Sequence, residues 1–69
     1  MADEPLWTVH QGTIRIDCTV RSHEDVCEVQ LYRDGHTYSG RKFKLREQAL
    51  WYADVLKADL LRIGWQAEP

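Results

Sequence analysis

Two cysteines and three histidines are the side chains best suited to chemistry in this 69-residue chain. Cys18, Cys27, His10, His23 and His36 could bind zinc, and the two thiols could pair as a disulfide. Their spacing argues against zinc. No Cys-x-x-Cys or His-x-x-x-His pair occurs, and these are the spacings that bring two ligands to one ion. Nucleophilic catalysis needs a nucleophile, a base and an oxyanion donor gathered in a cleft. The only serines are Ser22 and Ser39, and no glycine-rich phosphate loop is present. The expectation is a non-enzymatic domain with no metal and no cofactor.

Charge and hydropathy narrow the class further. Hydrophobic residues make up 43% and charged residues 29%, the composition of a folded domain rather than a disordered tail. Eleven acidic and nine basic residues leave a formal charge of −2, so no broad cationic footprint for nucleic acid exists. No apolar run approaches the roughly 20 residues of a membrane span. The Met-Ala-Asp-Glu-Pro start lacks the basic and apolar regions of a signal peptide, which predicts a cytoplasmic protein.

The elements that must position any site follow from periodicity. Ile14, Ile16, Cys18 and Val20 alternate with Arg15, Asp17, Thr19 and Arg21, the mark of a half-buried strand. A second strand spans Val26 to Arg33, and Asp34-Gly35 then supplies a two-residue hairpin turn. The third strand runs from His36 to about Phe43. A four-residue loop at 22–25 sets Val20 opposite Cys27, Cys18 opposite Val29 and Ile16 opposite Leu31, which collects the apolar side chains on one face. Cys18 and Cys27 are then diagonal neighbours roughly 7–8 Å apart, too far for a disulfide. They read as core thiols. His23 and His36 fall in turns at opposite ends of the middle strand, so one ion cannot gather them.

The Asp-Gly turn sets Leu31 opposite Tyr38 and turns Tyr38 inward. Phe43 then has the wrong parity for the core unless a bulge near Gly40 corrects it. A helix is predicted from Leu45 or Arg46 to about Ile63, with Gly64 as its stop and a poor N-cap. Its core stripe is Ala49, Ala53, Leu56, Leu60 and Ile63. The expected core joins that stripe to Ile14, Ile16, Cys18, Val20, Cys27, Val29, Leu31, Tyr38 and Phe43. The expected fold is α+β: a three-stranded antiparallel sheet of order 1-2-3 under one C-terminal helix (βββα). Residues 1–12 form an arm, frayed at 1–5 and with a short strand conceivable at Trp7 to His10. Residues 13–65 form the domain and 66–69 a tail.

Two surfaces remain for function. Trp51, Val55 and Ala58 lie nearly opposite the helix core stripe, with Leu50 and Leu61 on its flank. An exposed Trp with a Val one turn on makes an apolar patch suited to a protein partner or a second copy. The alternative is that the N-terminal arm or Trp65 folds over it. The outer sheet face offers Arg15, Asp17, Glu28, Gln30, Tyr32 and Arg41, with no second helix to cover it. That face reads either as a solvated ion-pair lattice or as a polar platform.

From Glu28 to Asp54 the layout resembles the plant ethylene-response-factor type of DNA-binding domain and the arm-binding domains of integrases. The residues that carry the likeness are Glu28-Val29-Gln30-Leu31, the Asp34-Gly35 turn, Gly40 leading to Phe43, and Glu47-Gln48-Ala49. The resemblance implies DNA binding through the outer sheet face, where Arg15, Arg33, Arg41 and Lys42 could take part. Asp17 and Glu28 depart from that pattern because they would repel phosphates. The chain is also similar in size and pattern to short bacterial and phage proteins, phage inhibitors of the anti-CRISPR type among them. The expected function is a small protein-binding module that occupies a partner surface as an inhibitor or adaptor. The alternative is a sheet-face DNA binder.

Overall fold

A computed structural model describes residues 3–68. Residues 1, 2 and 69, assigned above to the arm and the tail, lie outside the described residues. Four long strands run as an antiparallel meander: β1 (Asp3–Gln11), β2 (Ile14–His23), β3 (Val26–Arg33) and β4 (His36–Phe43). Helix α1 (Arg46–Arg62) follows, and then a two-residue strand, β5 (Gln66–Ala67). The sheet order is β4-β3-β2-β1-β5. The α+β class and single helix agree with the sequence reading, but the sheet has five strands rather than three.

The two extra strands are β1, in the segment expected to be an arm, and β5, in the segment expected to be a tail. Gly12, at φ 61°, opens a two-residue turn closed by the Gln11–Ile14 pair. Asp3 to Pro5, expected to fray, pair with Arg21 to Thr19. A bulge at Leu6 then shifts the register, so that Leu6 and Trp7 both pack against the core. That bulge hides the period-two pattern over the first half of the strand.

The β2–β3 hairpin closes two residues tighter than expected. Glu24 adopts φ 56° in a Glu24-Asp25 turn, and His23 pairs with Val26. Val20 therefore faces Val29, Cys18 faces Leu31 and Ile16 faces Arg33. A slip of two leaves every side chain on its face, so parity alone cannot separate the two registers. The tighter turn pairs Ser22 and His23 with Cys27 and Val26 and leaves Ile14 and Arg15 beyond the end of β3. It thus sets Cys27 opposite Ser22, four positions from Leu31, the residue opposite Cys18. At about 3.3 Å per residue the thiols are separated by roughly 13 Å along the strands, and both are free.

Asp34 and Gly35 both take positive φ, as a two-residue hairpin turn requires. The turn is tied back to β2: the Arg15 N–H donates to Asp34 Oδ1 at 3.1 Å, and the Asp34 N–H donates to the Arg15 carbonyl at 2.9 Å. The bulge that restores Phe43 to the inner face sits at Tyr38, not Gly40, because Thr37 pairs with Tyr32 and Ser39 with Leu31. Gly40 serves another purpose. A Cβ there would stand 3.2 Å from the Glu28 carboxylate, which leans over it.

The helix ends in a Schellman motif. The Gly64 N–H donates to Leu61 O at 3.3 Å and the Trp65 N–H to Leu60 O at 3.0 Å, with Gly64 at φ 110°. Trp65 turns back onto the core, and β5 joins the outer edge of β1. The N-cap Leu45 makes no side-chain bond, in keeping with its type.

The core is Val9, Ile16, Cys18, Val20, Val29, Leu31, Ala49 and Ala53. Ile16 and Leu31 share the inner face, as the alternation predicts. Val9 was not expected there and is fully buried. Ile14, Cys27, Phe43, Leu56 and Leu60 are only half-buried, whereas Tyr38 and Ile63 are 60% and 66% exposed. These two project where the helix has left the sheet edge uncovered. The closest helix approach is through Ala49 and Ala53, both 0% exposed. The Trp7 indole N–H donates to the Ala53 carbonyl at 3.1 Å.

Enlarging Ala53→Leu should destabilise the domain by about 1–3 kcal/mol or more, because the added carbons must displace the sheet or the indole. Trp7→Phe should cost about 1 kcal/mol for the lost hydrogen bond. Urea unfolding measures both, and a neutral Ala53→Leu would refute the close docking.

Candidate functional site

The outer sheet face is a ruled polar surface. Strand pairing sets Asp3, Arg21, Glu28 and Lys42 in one row across β1 to β4, with charge alternating at each step. The next rows are Pro5, Thr19, Gln30 and Gly40, then Thr8, Asp17, Tyr32 and Thr37. His10 and Arg15 close the far end. Cross-strand neighbours of opposite charge attract, so the alternation favours this register.

Most of these groups already hold one another. Arg21 binds Asp3 through two nitrogens at 2.8 and 3.2 Å. Arg15 Nε lies 3.1 Å from Asp17 Oδ1, which also accepts the Thr8 hydroxyl at 2.6 Å. The Gln30 amide donates to Glu28 at 3.0 Å, and the Tyr32 hydroxyl donates to Gln30 Oε1. The bonds from Arg21 hold Asp3 below its ordinary value of 3.8, and those to Asp17 and Asp3 raise Arg15 and Arg21. A depressed carboxylate stabilises the fold above the ordinary carboxylate range and loses that contribution as pH falls through its lowered pKa. The pair is exposed, so its contribution is small.

An open groove of about 780 Å³ runs along the first row toward the β2–β3 turn. Its walls carry acids and bases together: Arg21, His23 and Lys42 with Asp3, Glu24 and Glu28. Arg41, expected on this face, stands on the other side. The Tyr38 bulge gives it the inner parity of Val29, and its guanidinium lies 5.1 Å from the Tyr52 ring centre and 5.6 Å from that of Phe43. The outer face therefore gathers Arg15, Asp17, Glu28, Gln30 and Tyr32 but not Arg41.

The helix surface is clearer. Trp51 is 67% exposed, and Val55 and Leu61 are also exposed. The two segments that could have covered the patch are engaged elsewhere: Trp7 beneath Ala53, and Trp65 against the core. Ala58 is exposed beside them, whereas Leu50 is half-buried and packs on the core. Leu50 thus belongs to the core margin rather than to the patch. Glu47, Asp54 and Arg62 are exposed on the same helix, and Arg62 pairs with Asp59 at 2.6 Å.

A second apolar opening was not foreseen. A cleft of about 360 Å³ lies between the end of α1 and the sheet, lined by Leu31, Tyr38, Leu56, Leu60, Ile63 and Trp65 among others. Its signal in the sequence was the parity conflict between Tyr38 and Phe43, resolved above in favour of Phe43.

Among the described residues no group of three or more His, Cys, Asp or Glu is placed to hold a metal ion. No helix is long and apolar enough to cross a membrane. Comparison with known protein families, with curated proteins and with solved structures finds no match.

The two thiols differ more than the alternation suggests. Cys18 is buried, and burial pushes its pKa up to about 12. Cys27 is half-buried beside the Ser22 hydroxyl, 3.6 Å away. Cys18 should resist a polar thiol reagent at neutral pH while Cys27 labels first, read as one adduct by mass spectrometry. A raised thiol pKa stabilises the fold below the unfolded value of about 9 and loses that contribution as pH climbs toward 12. Cys18→Val should flatten this alkaline fall in stability. Faster labelling at Cys18 than at Cys27 would contradict the burial.

Proposed function

We propose that the protein is a non-enzymatic binding module that occupies a protein surface through the outer face of α1. The observation that carries this reading is Trp51, 67% exposed on the helix face turned away from the sheet. Trp is a frequent anchor of interfaces, and Val55 one turn on extends its apolar area. Exposed charge at Glu47, Asp54 and Arg62 provides the polar rim that such sites carry. An inhibitor or adaptor acts in this way, since binding alone suffices to block or bridge.

A second reading, nucleic-acid binding on the outer sheet face, is supported by that face being open and by Arg15 and Tyr32 upon it. The carboxylates of Asp3, Asp17 and Glu28 in the same rows weigh against it. Phosphate binding would require these acids to be held off by the arginines that already pair with Asp3 and Asp17.

Trp51→Ala should leave the unfolding midpoint nearly unchanged and weaken association by more than about 1 kcal/mol. Sedimentation tests a second copy. A photo-reactive residue at position 51, compared with one at position 15, tests other proteins. Crosslinks from 51 to protein support the reading. Crosslinks from 15 to nucleic acid, lost steeply with salt, would replace it with the second.

A further inference from the structure

The two edges of the sheet are unlike. The β1 edge is occupied by β5, with Ala67 opposite Val9, Gln66 opposite His10, and the Glu68 N–H donating to Thr8 O at 2.9 Å. The β4 edge pairs with nothing among the described residues. It is eight residues long, and seven of them are exposed. A free edge presents a row of backbone donors and acceptors ready for another strand.

Charge selects what can use it. From Gly35 to Arg46 the chain carries Arg41, Lys42, Lys44 and Arg46 and no acid. Arg46 is paired with Glu4 at 2.7 Å, but no ion pair among the described residues uses Arg41, Lys42 or Lys44. This is a local cationic strip on a chain of net charge −2. A second copy would bring the same three cations of both chains along one short ladder, and like charges there repel. An acidic strand meets the opposite situation. The apolar cleft also reaches this edge at Tyr38, with Leu56 and Ile63 behind it, so a side chain on the helix side of an added strand has a place to bury.

We infer that the β4 edge accepts an extended, acidic peptide segment as a further strand of the sheet. Backbone hydrogen bonds supply the ladder, Arg41, Lys42 and Lys44 select acidic side chains, and the Tyr38 cleft takes one apolar side chain. The site is separate from the Trp51 face, so either reading can fail alone.

The test uses the full chain and three short peptides: alternating Glu and Val, the same with Lys for Glu, and the acidic one with Pro at every second position. Hydrogen exchange followed by NMR reads the β4 amides. The acidic peptide should slow exchange between Thr37 and Phe43, less so as salt rises. The basic and Pro-containing peptides should not. The double substitution Arg41→Glu with Lys42→Glu should weaken binding about tenfold or more, and Trp51→Ala should leave it unchanged. The inference is overturned if about 1 mM acidic peptide slows nothing on β4, or if the Pro-containing peptide binds equally. Protection of β4 that grows with protein concentration alone would also overturn it, by assigning the edge to a second copy. The peptide comparison is made on the native sequence, so it stands even if the double variant unfolds.

Discussion

The structure depends on one close approach, that of α1 to the sheet at Ala49 and Ala53. Both residues are fully buried, and the Trp7 indole is hydrogen-bonded to the Ala53 carbonyl. A 17-residue helix is about 25 Å long and roughly 10 Å across. Four long strands about 4.8 Å apart span roughly 14 Å between their outermost axes. One helix cannot cover them all. Because α1 is drawn in where the alanines lie, it buries Val9, Cys18, Val20 and Val29 completely. The margin at β4 is left to larger, half-exposed side chains. Phe43 and Tyr52 meet there at 5.2 Å under the Arg41 guanidinium, a cation laid over rings that the helix does not shield from water.

The outer sheet face answers a different constraint. Nothing in the described chain covers it, so its side chains must satisfy each other or water. The row Asp3, Arg21, Glu28 and Lys42 does so by alternation. Such exposed pairs contribute little net stability. Their effect is on register, because a slip of one residue would expose the core, and a slip of two would break the alternation of opposite charges. Moving β3 by two against β2, as a four-residue turn would require, sets Glu28 opposite Thr19 and Arg21 opposite Val26, so the Arg21–Glu28 cross-strand pair is lost while Arg21 keeps Asp3. Charge pairing thus selects between two registers that hydrophobic parity leaves equal.

That distinction marks how far the sequence is legible. The faces of β2 and β3, the Asp34-Gly35 turn, the helix limits and the Gly64 stop all follow from local periodicity or turn chemistry, and the structure agrees. The features that did not follow are the Leu6 bulge, the place of the β4 bulge (expected near Gly40 and found at Tyr38), one turn, and β5 in the expected tail. At Leu6 and at Tyr38 an extra residue breaks the period-two signal, so β1 reads as an arm and Tyr38 as a core residue. Glu24 turns the chain at φ 56° without the glycine or asparagine that announces such a turn. The Gly12 turn did carry its signal, a glycine opening a two-residue loop between alternating segments. The candidate site was legible where it depended on helical spacing, as for Trp51 and Val55. It was not legible where it depended on strand parity beyond a bulge, as for Arg41.

Both bulges act through the same geometry. A bulge turns successive side chains toward one face, and each here lies where the inner face needs more than alternation supplies. At Leu6 and Trp7 the result is closure: two apolar side chains fill the space under α1, and the indole gains the Ala53 carbonyl. At Tyr38 the result is opening. The inner parity passes to Ser39, Arg41 and Phe43, and Tyr38 is turned to the mouth of the cleft beside Ile63. The strand that is closed is also the one whose edge β5 caps, and the strand that is opened is the one whose edge stays free. The asymmetry of the surface is therefore set by where one helix can dock, since the side it favours is sealed and the side it leaves carries the exposed Tyr38, the free backbone and the cations that no ion pair among the described residues uses.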